Sequence, residues 1–492
     1  MTSPSLDRVD NARAVFGGGT QALVRIAGLA SVGITAPLLV RHLGPASYGR
    51  FAVALTVAFV VATVADLGLP LLVSRDWQRL DDASRGNWLG QYWSLRVWSS
   101  AIALLLAVAV VLGLQVDGEM QRALVVALFG VPVVLLLNSF GALFLASFDP
   151  WPGVWSEVMS RLTWMGGLII AIGRDASMVG TLSVLVASQA VGLGFMLLPA
   201  LRRGLFPKPR LGLLSRDMAR RAAPLALIPV LGVVYARADT LVMAALTTDA
   251  ETGVYGALWK LVEVLISLAV IGAGLLLPLL SRTEDQGQRR THYVRATRLL
   301  MTVLIPAAVV VAISSHDILD WFGGTGFFVG VDSPWGVASP SVALVVLMAA
   351  TVLMGFGVVN ASVMVATHRQ RALLRQSVLV AVLNLAAAWY LIGRVSFLGA
   401  ALAVLATETF SIVHSMFIVR RVIGRLPLAE VLTWPLAIGA LVLVMMLAAS
   451  GLPAVPRLLI GIAAATVGAV LSPSRVDVVD ALRSREAVGT AS

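Results

Sequence analysis

From about residue 16 onward the chain alternates long apolar runs with short polar interruptions. The runs are too long for strands and too continuous for half-buried surface helices. A hydrocarbon core about 30 Å thick needs roughly 20 apolar helical residues per crossing. Windows of that size recur over 16–40, 51–73, 94–113, 122–147, 156–173, 178–200, 222–246, 253–280, 297–315, 338–366, 377–392, 397–419, 432–450 and 457–472. The pattern predicts an all-α membrane protein of about 14 transmembrane helices with nothing large outside the lipid.

Composition agrees: 58% of the 492 residues are hydrophobic, 13% are charged, and the mean hydropathy is +0.90. That is too apolar for a soluble chain. Cysteine is absent, which excludes disulfides, thiolate metal sites and cysteine nucleophiles. The opening MTSPSLDRVDNARAVFGGG is polar and runs into a full-length span, without the short apolar core and cleavage site of a signal peptide. The first helix is expected to be retained.

The net charge of +11 follows topology rather than nucleic-acid binding. With both termini cytoplasmic, the inner segments hold about 26 Arg and Lys residues and the outer ones 6, the asymmetry of the positive-inside rule. The densest cluster is Arg202, Arg203, Lys208, Arg210, Arg216, Arg220 and Arg221, read as an orienting segment facing lipid headgroups. The stretch 75–98 carries Trp77, Trp88, Trp93 and Trp98 and reads as an interfacial aromatic belt.

A repeat divides the chain. Tyr48-Gly49 is followed 26 residues later by Ser74-Arg75, in PLLVSR, and Tyr255-Gly256 at the same interval by Ser281-Arg282, in PLLSR. So short a match also arises by chance in a Leu- and Val-rich chain, but both copies fall on an outer turn, one span and a basic inner end. Six helices separate them, so the halves enter the membrane in the same direction. The expected organisation is a six-helix bundle over 1–200, a basic cytoplasmic linker over 201–221, a second six-helix bundle over 222–425, and two extra helices with a tail over 426–492. Two bundles around a central cleft suit alternating access.

Catalysis has little to stand on. Neither Lys208 nor Lys260 lies in a P-loop context, and the five histidines show no metal-ligand spacing, so no cofactor is expected.

Charges at bilayer depth cost at least about 2.5–3.5 kcal/mol on insertion scales and normally face a cavity or a partner. Arg96, Glu157 and Arg161 lie near the cytoplasmic end and can snorkel, with Glu157 and Arg161 spaced for an intrahelical pair. Lys260 and Glu263 are either a local pair or part of a cleft wall, and Glu408 is either a proton site or a packed, protonated carboxyl. Arg237 and Asp239 in YARADTLVMAAL lie roughly 200° apart around their helix, so each needs its own partner. Arg25 shares a stripe with Gly17, Gln21, Gly28 and Thr35, a small and polar face suited to a wet cleft. Arg25 and Arg237, assisted by Gln21 and Lys260, are the candidates to hold an anionic headgroup; Asp66, Asp239, Glu263 and Glu408 are the candidate coupling or orienting carboxylates. The alternative is that these charges form interhelical salt bridges that only join the bundles.

LLVRHLGPASYGRFAVALT (38–56), VADLGLPLLVSRD (64–76) and YARADTLVMAAL with DAETGVYGALWKLVE (249–263) resemble the Wzx-type oligosaccharide and polysaccharide flippases. That branch belongs to the superfamily that also holds the MATE exporters and lipid II flippases. The resemblance spans roughly 14–425. It implies movement of an undecaprenyl-pyrophosphate-linked oligosaccharide from the inner to the outer leaflet of the bacterial cytoplasmic membrane, alongside membrane lipids and a polysaccharide polymerase or export machinery as partners. Asp66 falls in the family-like D-L-G-L string and Arg237 with Asp239 in the R-x-D string; Arg25 rests on geometry alone. An ion-coupled multidrug antiporter, a lipid II flippase and a non-transporting scaffold are the other readings. The segment 314–336 is longer than the family's usual outer loop, and Trp321, Phe327, Phe328 and Trp335 are candidates to stack on sugars or to form an interfacial lid.

Overall fold

The computed structural model describes residues 4–113, 115–206, 216–281, 285–324, 326–328, 339–425 and 428–472. Within them it describes the side chains other than those of residues 4–27, 29, 30, 82, 216, 224, 225, 227, 228, 234 and 272–281. The described residues form helices and no strand: α1 (Pro4–Asp66), α2 (Leu69–Asp76), α3 (Asp82–Gly113), α4 (Gly118–Phe129), α5 (Val131–Ala146), α6 (Trp151–Gly173), α7 (Met178–Arg202), α8 (Arg216–Leu246), α9 (Asp249–Ser281), α10 (Gln286–Ile313), α11 (Ser315–Gly323), α12 (Pro340–Ala366), α13 (Gln370–Ile423), α14 (Leu428–Ala448) and α15 (Ala454–Leu471).

Among the described residues, 10 segments are long and apolar enough to cross a membrane. The sequence-based count of about 14 is compatible with this number because α1 and α13 each hold two of the expected spans, and α6 and α8, which are not among the ten, match the expected spans 156–173 and 222–246. α1 bends at Gly44, whose φ of 70° lies in the left-handed region open to glycine, and Pro45 opens the next helical stretch. α13 breaks at Val395 and Ser396. The expected span 122–147 is α4 and α5 joined end to end at Gly130. α6 and α8 carry the intramembrane charges Glu157, Arg161, Arg237 and Asp239. The expected span 51–73 is interrupted: after Asp66 the chain turns left-handed at Leu67 (φ 52°) and Gly68 (φ 66°), then resumes as α2 with Pro70 in its first turn. The D-L-G-L string is therefore a helix break.

By contact the chain divides into two compact units, Met1–Ala244 and Ala245–Ser492. This places most of α8 with the first unit, whereas the sequence repeat sets it at the head of the second half. The centre of the basic linker, 207–215, lies outside the described residues.

An aromatic cluster forms much of the core of the first unit. Trp77, Trp88, Tyr92, Trp93, Phe140 and Phe144 are all buried together, with Trp88 stacked on Tyr92 at 5.3 Å and Trp93 tilted on Phe140 at 4.8 Å. Trp93 also donates its indole N–H to the Leu205 carbonyl at 2.7 Å, which satisfies its polar end. This corrects the aromatic-belt reading: three of those four tryptophans are interior, and Trp98 alone is exposed. At the start of α4, Asp117 and Glu119 both pair with Arg50 of α1, so the acidic loop neutralises that cation.

In the second unit α12 packs along α13, and α10 packs on both α12 and α14. The two C-terminal helices are built into this core: Val310 of α10 is buried with Ile438, Val442 and Met446 of α14 and Ala464 of α15. Glycines permit the close approach, since a Cβ at Gly468 would stand 2.6 Å from Ile438. Part of the 314–336 segment is helical, as α11, with Leu319 and Phe322 buried. Phe327 is also buried, packed against Gly323, so it is core rather than a free stacking surface; Trp321 is 58% exposed, and Trp335 lies outside the described residues.

Candidate functional site

Asp66, at the C-terminal end of α1, accepts a hydrogen bond from Arg96 Nη2 at 3.0 Å. Arg96 is 1% exposed. It does not snorkel, as the sequence had suggested; it carries its charge into the interior of α3 because Asp66 meets it there. Its Nε and Nη1 have no acceptor among the described residues. The pair joins the helix break after Asp66 to α3, beside the Tyr92 ring.

Arg161 makes the expected i,i+4 pair: Nε and Nη2 donate to Glu157 Oε1 at 3.2 and 2.7 Å. Its Nη1 also donates to the Gly28 carbonyl of α1 at 3.0 Å. A Cβ at position 28 would lie 2.5 Å from Arg161 Nη2, so the guanidinium reaches the α1 backbone only because residue 28 is glycine. Gly28 thus has a packing role within the stripe that also holds Gln21 and Arg25. The side chains of Gln21 and Arg25 lie outside those described.

Arg237 is half-buried in α8, with its guanidinium 5.2 Å from the centre of the Phe59 ring on α1. Such a cation–π contact contributes about 0.5–2 kcal/mol, depending on desolvation. Asp239, two residues on, is only 2% exposed.

In the second unit Lys260 Nζ donates to Glu263 Oε2 at 2.7 Å, with both side chains about one-third exposed (33% and 29%), so the local pair forms. Glu408 is 5% exposed in α13, facing Gly357 of α12. The same unit holds buried polar contacts that charge-based reading missed. Tyr293 donates to Asn360 at 3.0 Å and Asn360 to Ser415 at 2.8 Å, while Gln376 donates to Ser411 Oγ at 3.1 Å. Asn360 and Asn384 are fully buried in otherwise apolar helices, and an Asn or Gln at such a position was the available sequence signal.

Among solved structures the fold is that of two transporter types. The chain is similar to a lipid II flippase MurJ in an inward closed conformation, at a TM-score of 0.71 and 12% identity over 93% of this chain and 98% of that one. It is also similar to an inward-facing multidrug resistance MATE transporter of the MOP superfamily, at a TM-score of 0.62 and 14% identity over 82% and 98% of the two chains. At these identities the likeness establishes the fold: a multi-pass, all-helical membrane protein of the MurJ and MATE type. The family follows from sequence: residues 22–284, more than half of the chain, match the model of the polysaccharide biosynthesis proteins, and the chain belongs to that family. No curated protein gives a significant sequence match.

Proposed function

We propose that the protein is a flippase that moves an undecaprenyl-pyrophosphate-linked oligosaccharide from the inner to the outer leaflet of the bacterial cytoplasmic membrane, by alternating access, for surface polysaccharide synthesis. The family match over residues 22–284 carries this reading. The MurJ-like fold supports a lipid-linked cargo. The positive-inside pattern supports cytoplasmic termini.

In this reading Arg237 and Arg25, helped by Gln21 and Lys260, receive the pyrophosphate. Arginine keeps its charge and offers several N–H groups in a fixed plane, which suits a multiply anionic headgroup. Phe59 steadies the Arg237 guanidinium by its face. Asp66, Asp239, Glu263 and Glu408 are the carboxylates that orient cations or couple transport to an ion. For Asp66 the orienting role has a described geometry, its bond to Arg96.

The test is leaflet exposure of a labelled lipid-linked oligosaccharide in proteoliposomes. The proposal requires transfer above that of empty vesicles. Absence of transfer together with efflux of cationic dyes would favour the multidrug antiporter, which the MATE-like fold equally accommodates.

A further inference from the structure

The first two turns of α6 and the last turns of α7 enclose an open trough of about 480 Å³, lined by Trp151, Trp155, Met159, Phe195, Pro199 and Arg203 among others. Its size is in the range of small-molecule sites, roughly 300–1,000 Å³. All of its lining is apolar except at one end, where Arg203 stands. We propose that this trough binds an anionic phospholipid, with an acyl chain along the apolar side chains and the phosphate at the Arg203 end.

A bare apolar groove in a membrane protein would be filled by any lipid. The polar end is what selects. Arg203 is 49% exposed, contacts Asp149 through Nη1 and lies 5.6 Å from the Phe144 ring centre. Arg202 is exposed in the last turn of α7. With Asp149 counted, Arg202 and Arg203 leave one net positive charge at this end of α7. Trp151 and Trp155 are 51% and 52% exposed. Indoles in this position place an apolar ring among chains and an N–H among headgroups. The N-terminus of α6 adds to this: its cap residue is Pro150, which supplies no side-chain acceptor for the first-turn N–H groups. Cations, indoles and a helix N-terminus thus meet where the trough ends. In the proposed orientation this end faces the cytoplasmic leaflet, where anionic lipids attract juxtamembrane basic residues.

The proposal does not depend on the flippase reading, and its test does not depend on orientation. The full chain is placed in nanodiscs of phosphatidylcholine that contain increasing amounts of acyl-brominated phosphatidylglycerol or acyl-brominated phosphatidylcholine. Tryptophan emission of the native protein minus that of the Trp151→Phe/Trp155→Phe variant isolates the trough. Brominated phosphatidylglycerol is expected to half-quench this component at about a tenfold lower mole fraction than brominated phosphatidylcholine. Arg202→Gln/Arg203→Gln is expected to abolish the difference, and Arg202→Lys/Arg203→Lys to retain most of it, with thermal unfolding confirming that each variant is folded. Equal quenching by the two lipids in the native protein overturns the proposal. So does quenching by a brominated neutral polyprenol as effective as that by phosphatidylglycerol, since the trough would then select a prenyl tail and not an anionic head.

Discussion

Arg96 and Asp66 meet at 3.0 Å across 30 residues of sequence, with Arg96 only 1% exposed. A buried pair of this kind adds little net stability when intact, because desolvation offsets the attraction. Breaking it is another matter. Arg96→Leu leaves the Asp66 carboxylate buried without its counter-charge and is expected to destabilise the protein by about 3–5 kcal/mol. Asp66→Asn/Arg96→Leu should recover much of that loss. Thermal unfolding of the four proteins in one detergent, read as a double-mutant cycle, checks both statements.

Gly28→Ala sets two effects against each other. Alanine in a helix gains about 0.5–1 kcal/mol over glycine, but its Cβ displaces Arg161 from the Gly28 carbonyl, losing a charge-assisted bond of roughly 1.5–3 kcal/mol. The variant should therefore be less stable than the native protein. In an Arg161→Gln background, where no guanidinium remains to displace, the same change should become stabilising. The reversal of sign between the two backgrounds is the measurement.

Gly399 lies just beyond the break in α13, and a Cβ there would overlap the backbone of Leu391 and Ile392. Backbone cannot yield as a flexible side chain can. Gly399→Ala should cost upward of about 3 kcal/mol or prevent accumulation of folded protein. Gly357→Ala, whose Cβ would meet only Glu408 at 3.9 Å, should unfold within a few degrees of the native protein.

Tyr293→Phe removes the donor that the Asn360 side-chain carbonyl accepts among the buried polar contacts of the second unit. The unsatisfied acceptor should cost about 1–3 kcal/mol. Asn360→Leu in addition removes both polar ends and should not add a second loss of the same size. The comparison is again thermal unfolding of the single and double variants.

The spans were legible in the sequence because lipid imposes one length on every crossing, and the bends at Gly44-Pro45 and after Ile392 were already visible as boundaries between spans. The Glu157–Arg161 and Lys260–Glu263 pairs were legible because helical spacing alone brings them together. Asp66–Arg96 was not, since depth in the bilayer can be counted along a chain but the facing of two separate helices cannot. The same limit applied to Trp77, Trp88 and Trp93: tryptophan near a membrane end fits a belt equally well as a core, and only the Leu205 carbonyl and the Phe140 ring decide it. Phe327 was misread because an aromatic, glycine-rich segment resembles an open loop until Gly323 is seen to make room for the ring.

The most direct test of the central claim, that intramembrane guanidiniums receive an anionic lipid headgroup, is the rate at which purified Arg25→Gln and Arg237→Gln proteins carry a pyrophosphate-linked oligosaccharide across proteoliposome bilayers. Both variants should unfold at nearly the native temperature yet lose at least about tenfold in rate, the equivalent of roughly 1.4 kcal/mol in a charge-assisted contact. Native rates in both would show that these two charges serve the packing of the helices and not the cargo.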